Sequence, residues 1–257
     1  MRLYWVAQMF YSRLPVPQHM TSHEPTLLNE ATRYFPLVGA VVALLSTMAG
    51  VVLYLLSGHA DVAALFALLA SVWITGAFHE DGLADVCDGF GGGWQAQQIL
   101  DIMKDSRLGT YGAVGLWGAL SLRWLMWGHL LKQGVWFFVA GVLAASVLSR
   151  WAAVCTIKEG LYARSDATSK LRPVAKGLSR QSFYVACAIA FVVAVLAVGY
   201  VALLAIALLY LVQKRMYHYF KAKIGGYTGD CLGAIQQVGE CVALLCFLLY
   251  LHITTVI

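Results

Sequence analysis

Residues 35–56 read FPLVGAVVALLSTMAGVVLYLL, 22 positions without a charge. At roughly 1.5 Å per helical residue such a stretch extends about 33 Å, enough to cross a hydrocarbon core about 30 Å thick. Further apolar runs lie at 62–78, at 111–131 with Arg123 inside it, at 134–157 with Arg150, and at 238–257 with Glu240. Residues 183–212 add 30 uncharged positions, too many for one span without strong tilt, and Gly199 offers a place to turn back. Of the 257 residues 60% are hydrophobic and only 12% charged, against roughly 25% charged in an ordinary soluble domain, which excludes a soluble enzyme.

Charge decides between one span and two in 183–212. If it is a hairpin, the segments 1–34, 79–110, 158–182 and 213–237 share one side and hold 15 of the 18 Lys and Arg residues. Cytoplasmic loops collect such residues, so the sequence predicts seven spans with these loops in the cytoplasm. The N-terminal MRLYWVAQMFYSRLPVP is too short to span, has no small-residue cleavage site, and reads as an interfacial helix ended by Pro15 and Pro17. The expected architecture is therefore all-α: a polytopic transmembrane helical bundle of about seven spans in one integral membrane domain, 1–257, with an interfacial segment at 1–34 and an acidic catalytic region at 79–110. Six cysteines without a CxxC pair read as buried free thiols. The net charge of +5 suits anionic membrane lipid and requires no nucleic acid.

Of the 13 acidic residues, six fall between Glu80 and Asp105. Asp81, Asp85 and Asp88 follow an i, i+4, i+7 spacing that places them on one helix face, where three like charges call for a cation. Hard carboxylate oxygens suit Mg²⁺, which completes its shell with water and phosphate oxygens. Gly82, Gly89 and Gly91–Gly93 allow backbone to approach a ligand closely; a solvated helix end is the bland alternative. Asp101 and Asp105 follow, beside Lys104 and Arg107, which read either as surface ion pairs or as phosphate-binding cations, with Ser106 adding a hydrogen bond.

Asp230 stands after a glycine-rich turn, as a site residue or a helix N-cap. Glu240 reads as a functional acid within a span or as the partner of Arg123 or Arg150. His79 either accepts a proton from a nucleophilic hydroxyl or is a satisfied interface histidine. No Glu has a His three positions later, and Walker A, GxSxG and HExxH are absent, which excludes di-iron, P-loop, serine esterase and zinc protease chemistry. What remains is metal-assisted chemistry on a phosphate ester or diphosphate at a membrane. Two other classes share these features: an aspartate-rich CDP-alcohol phosphotransferase or prenyltransferase, and, less favoured, a cation transporter.

The stretches YSRLPVP (11–17), FPLVG (35–39), HEDGLADVCDG (79–89), KDSRLGTYGAVGL (104–116) and GGYTGDCLGA (225–234) occur in this order. Together they resemble the cobalamin synthase family, the adenosylcobinamide-GDP ribazoletransferases. The resemblance implies a multi-pass inner-membrane transferase, dependent on Mg²⁺ and with its active site on the cytoplasmic side. It would join adenosylcobinamide-GDP to α-ribazole or its 5′-phosphate and release GMP. By motif, Asp81, Asp85, Asp88 and Asp105 are implied as metal ligands, and Lys104 and Arg107 as stabilisers of phosphate charge. Arg13, Ser106, Arg164 and Asp230 fall to substrate contacts, and His79 or Glu80 to the general base. An oligomer and docking of other corrinoid-pathway enzymes are compatible with it.

Overall fold

The computed structural model describes residues 2–163 and 177–256, and among them the architecture is all-α. Eleven α-helices follow one another among the described residues: α1 (Arg2–Tyr11), α2 (Pro25–Ala31), α3 (Phe35–Ser57), α4 (Ala60–Thr75), α5 (Phe78–Gly92), α6 (Ala96–Ile102), α7 (Thr110–Gln133), α8 (Val135–Glu159), α9 (Arg180–Val198), α10 (Val201–Ile224) and α11 (Gly229–Val256). The apolar runs of the sequence reappear as α3, α4, α7, α8 and α11. The 183–212 run breaks at Gly199, whose φ of +68° ends α9.

Side-chain pairs give the direction of the two halves. Near its C-terminal end α8 meets the start of α9, where Lys158 Nζ donates to the Leu178 carbonyl at 2.8 Å. It also meets the later part of α10, where Thr156 Oγ1 donates to Gln213 Oε1 at 2.9 Å. The break is therefore a hairpin, as the charge distribution predicts. The six cysteines are free thiols.

Fewer helices than the expected seven spans qualify by length and composition alone. Among the described residues four helical stretches are long and apolar enough to cross a membrane, Pro25–Ser57, Val135–Glu159, Arg180–Val198 and Gly229–Thr254, or five if the bent pair α4–α5 is one broken span. The reason is composition: α7 is diluted by glycines and Arg123, and the second half of α10 carries Lys214, Arg215, Lys221 and Lys223.

α8 is the central helix, with Leu148, Ala152 and Val154 at zero exposure and α3, α9, α10 and α11 packed around it. Small residues allow the close approach that helix association in lipid requires. An added Cβ at Gly39 of α3 would lie 2.8 Å from the Ser146 carbonyl oxygen of α8, and one at Gly239 of α11 would lie 3.2 Å from Ser149 Cα. Leu55, Leu56, Trp73 and Leu196 are exposed on the outer surface, as lipid-facing side chains should be.

The α4–α5 junction sets the position of the acidic helix. The two helices meet at 89° across Gly76 and Ala77, both in the left-handed region at φ +69° and +58°. The α1–α2 segment pins this bend, because the backbone N–H of Arg13 donates at 2.7 Å to the Ile74 carbonyl, one of the acceptors α4 leaves open at its end. The Arg13 side chain lies against the place a Cβ on Gly76 would occupy. Gly76→Ala is expected to destabilise the protein by about 1–2 kcal/mol from backbone strain alone. Thermal unfolding in detergent checks this, and an unchanged midpoint would contradict the strained bend.

Candidate functional site

Phe78–Gly92 forms a helix despite its four glycines because α7 and α11 hold it on both sides. On the α11 side the contact is glycine to backbone. An added Cβ at Gly82 would lie 2.9 Å from the Asp230 carbonyl oxygen, and one at Gly233 would lie 3.1 Å from the His79 carbonyl oxygen. This crossing sets Asp230, at the start of α11, beside the turn of α5 that carries Asp81 and Asp85. Thr228 Oγ1 donates to Asp230 Oδ2 at 3.2 Å.

On the α7 side the link is Asp88. Its Oδ2 accepts the Gly109 N–H at 2.7 Å and its Oδ1 the Gly112 N–H at 2.8 Å. A carboxylate on the first amides of a helix fills open donors and complements the helix dipole, so Asp88 ties the 103–110 loop and the start of α7 to α5. The stripe thus divides: Asp81 is exposed, Asp85 is half-buried, and Asp88 is engaged with backbone.

Asp105 and Arg107 form a surface pair. Arg107 Nε and Nη2 donate to Asp105 Oδ2 at 2.9 and 2.5 Å, and the Arg107 N–H reaches Oδ1 at 3.1 Å. These hydrogen bonds, the side-chain ones foremost, hold the Asp105 carboxyl below the ordinary carboxylate range and raise Arg107 in turn. Lys104 and Ser106 are exposed on the same loop, and Asp101 accepts from Gln97 on α6 at 2.9 Å. Asp88, Ile102, Asp105, Arg107, Thr110 and Tyr111 line an open cleft of about 470 Å³, a size suited to a small-molecule substrate.

A third segment joins from far along the chain. Ala163 N–H donates to the Tyr227 carbonyl and Tyr227 N–H to the Leu161 carbonyl, both at 2.9 Å. An added Cβ at Gly226 would collide with the Leu161 carbonyl, so the GGYTG turn needs glycine there. Segments 79–110, 161–163 and 225–230, which charge alone assigns to one side, do meet in space. Arg164 lies outside the described residues, and the Arg13 side chain sits against Gly76 at the α4–α5 bend, one helical turn before Asp81.

Glu80 and His79, adjacent to the stripe in sequence, point into the bundle instead. Glu80 Oε1 accepts from Arg123 Nη1 at 3.3 Å and from Gln237 Nε2 at 2.9 Å. Arg123 Nη1 also donates to Gln237 Oε1 at 2.7 Å, and Nη2 lies 2.7 Å from Glu240 Oε2. Glu240 Oε1 accepts from Arg150 Nη1 at 3.2 Å and from Gln236 Nε2 at 2.8 Å. Two carboxylates and two guanidiniums, each no more than 6% exposed, thereby neutralise one another around a void of about 10 Å³, roughly enough for one water. Glu240 pairs with both arginines, which realises the structural reading of that acid. The amides of Gln236 and Gln237 carry no signal in the sequence. Only the single charges within apolar runs point to the network.

Among the described residues no group of three or more His, Cys, Asp or Glu side chains is placed to hold a metal ion. Mg²⁺ brought in by a diphosphate needs only one or two protein carboxylates. Asp81 and Asp85, one turn apart on the face of α5 next to Asp230, fit that lighter requirement. Asp88 accepts a backbone N–H on each oxygen, which leaves each oxygen a further lone pair.

The helices and this acid-rich crossing define a membrane enzyme of the helical-bundle class, with a polar site built at one end of the bundle. The chain belongs to the cobalamin-5-phosphate synthase family, a transferase family of cobalamin biosynthesis, which matches it over residues 3–248. Among similar curated proteins, the adenosylcobinamide-GDP ribazoletransferase of Shewanella frigidimarina is 39% identical over 253 residues, covering 98% of this chain and 95% of the relative. The protein of the same description from Shewanella halifaxensis is 41% identical over 255 residues, again 98% and 95%. No solved structure matches the chain.

Arg123→Leu would leave Glu80 and Glu240 short of a counter-charge in the core, and loss of one partner of a buried pair costs about 3–5 kcal/mol. The expected result is aggregation at lower temperature, read by size-exclusion chromatography after heating in detergent. Wild-type behaviour would show that the network contributes little.

Proposed function

We propose that this chain joins adenosylcobinamide-GDP to α-ribazole, or to its 5′-phosphate, and releases GMP, with Mg²⁺ and at the cytoplasmic face of the inner membrane. Family membership and the description of the relatives support the reaction. The observation that carries the site is the α5–α11 crossing, which sets Asp230 against the Asp81–Asp85 turn beside a cleft lined by Asp88, Asp105 and Arg107. The basic loops support the cytoplasmic assignment, and the seven-span topology within one membrane domain, with α1 at the interface, is the arrangement that puts them on one side.

In the reaction a ribose hydroxyl oxygen bonds to the phosphorus on the cobinamide side of the diphosphate. The bridging P–O bond breaks, its electron pair leaves on GMP, and the hydroxyl proton is released. Mg²⁺ supplies neutralisation of the diphosphate charge. Asp81 and Asp85 hold the ion. Asp88 fixes the 103–110 loop, and through it the phosphate-facing Lys104, Ser106 and Arg107, relative to those carboxylates. Asp105 holds the Arg107 fork in place, and Asp230 orients substrate from the α11 side. The protein mainly positions and screens the reacting groups.

GMP release by detergent-purified protein, given both substrates with Mg²⁺ or with EDTA, tests the reading. Mg²⁺-dependent GMP matched by a cobalamin product is the expected outcome. Absence of product from folded protein would redirect the assay to CDP-alcohols and prenyl diphosphates. Asp81→Asn and Asp85→Asn are each expected to lower kcat by on the order of a hundredfold or more, since a catalytic ion contributes several kcal/mol. Near-normal turnover in both variants would remove the metal assignment.

A further inference from the structure

One wall of the open cleft carries a ring to which the reaction above gives no part. Asp88, Asp105 and Arg107 supply the charged side of the cleft, whereas Ile102, Leu108 and Tyr111 supply an apolar side. Tyr111 is the second residue of α7, and α5 supports its ring from behind. A Cβ added at Gly91 would lie 2.5 Å from Tyr111 Cγ and 2.7 and 2.8 Å from its two Cδ atoms. Cγ nearest, with the two Cδ atoms almost equidistant, means that the ring turns a face to Gly91, and only glycine lets it settle so close. The residue is nonetheless 59% exposed and borders the cleft, so the opposite face is open.

A tyrosine near a membrane surface commonly anchors a helix among lipid headgroups. Such an anchor turns its ring away from the bundle, whereas Tyr111 rests on α5 and borders the cleft. A flat base stacks on a ring held in this way, since every base offers a π-face. Two bases enter the proposed reaction, and the geometry favours one. The Arg107 side chain, 88% exposed, stands four residues before Tyr111 on the loop that Asp88 ties to α5. A phosphate on that guanidinium and a base on that ring fit one nucleotide. In phosphoryl transfer the attacking and leaving oxygens lie roughly in line on opposite sides of the phosphorus. With Asp230 orienting the attacking nucleoside from the α11 side, GMP departs toward α7, where the ring stands.

We propose that Tyr111, seated on Gly91 at the rim of the Arg107 cleft, is the stacking platform for the guanine of the nucleotide leaving group. The assignment rests on the reaction proposed above and deepens it by naming a residue that binds the guanosine half of the substrate. Tyr111 is a binding residue: it holds the base and makes or breaks no bond.

Equilibrium binding of GMP and of ribose 5-phosphate to the detergent-purified full chain with Mg²⁺, followed by titration calorimetry, tests it without turnover. Ribose 5-phosphate presents sugar and phosphate without a base. Tyr111→Leu keeps apolar bulk and loses the ring, whereas Tyr111→Phe keeps the ring and loses the hydroxyl. Tyr111→Leu is expected to weaken GMP binding about tenfold or more and ribose 5-phosphate binding by less than about twofold, with Tyr111→Phe within about twofold of wild type for both. Retained GMP binding in Tyr111→Leu, an equal loss for both ligands, or a Tyr111→Phe variant that behaves like Tyr111→Leu overturns the proposal. So does loss of α-ribazole binding in Tyr111→Leu with GMP binding intact, which would give the ring to the other base.

Turnover separates this proposal from the reaction reading. If Tyr111→Leu loses GMP binding selectively and wild-type protein forms no cobalamin product, the platform stands and the reaction reading falls. If wild-type protein turns over and Tyr111→Leu keeps its GMP affinity and its KM for adenosylcobinamide-GDP, the platform falls alone. No GMP binding and no turnover by wild-type protein overturn both.

Discussion

Four charges buried among α5, α7, α8 and α11 set the terms for the rest of this molecule. In an apolar interior an ionised side chain persists only beside a counter-charge with its hydrogen bonds filled. Glu80, Arg123, Glu240 and Arg150 find counter-charges only as a set, with Gln236 and Gln237 adding hydrogen bonds to the carboxylates. Each helix contributes at least one member, so the pairing fixes their relative depth and rotation. α5, a short helix entered through a right-angle bend, depends on it most, because Glu80 anchors its first turn one residue before the exposed Asp81.

The acid site is thus attached to the core at one end and built outward by close backbone contacts. Gly82 and Gly233 allow α5 and α11 to touch, Asp88 fastens the start of α7, and Gly226 admits the Leu161 carbonyl. Each of these contacts joins segments more than 20 residues apart in sequence. Together they bring loops from three parts of the chain to one end of the bundle. The same arrangement separates neighbours in sequence: Phe78 borders an aromatic cavity, His79 lies between that cavity and the ion network, Glu80 joins the network, and Asp81 faces outward. One turn of helix thereby serves three environments.

Much of this arrangement is legible in the order of the residues alone. The 3.6-residue period places Asp81, Asp85 and Asp88 on one face, and the length of uncharged runs marks the apolar helices. Gly199 marks the hairpin because a 30-residue run cannot stay in the membrane as one helix without strong tilt. The distribution of Lys and Arg identifies which loops belong together. The burial of Glu80 is not legible, since carboxylates one residue apart look alike in sequence while pointing about 100° apart on a helix. Nor is the engagement of Asp88, because its partners are backbone N–H groups that carry no side-chain signature.

The sequence by itself determined the helical membrane class and the family, since apolar run length and local motif spacing are properties of contiguous residues. Only the tertiary structure decided which acids face the cleft and which are neutralised in the core. Those outcomes depend on helix rotation and on contacts across the bundle, and charge pairing in a medium without water selects both.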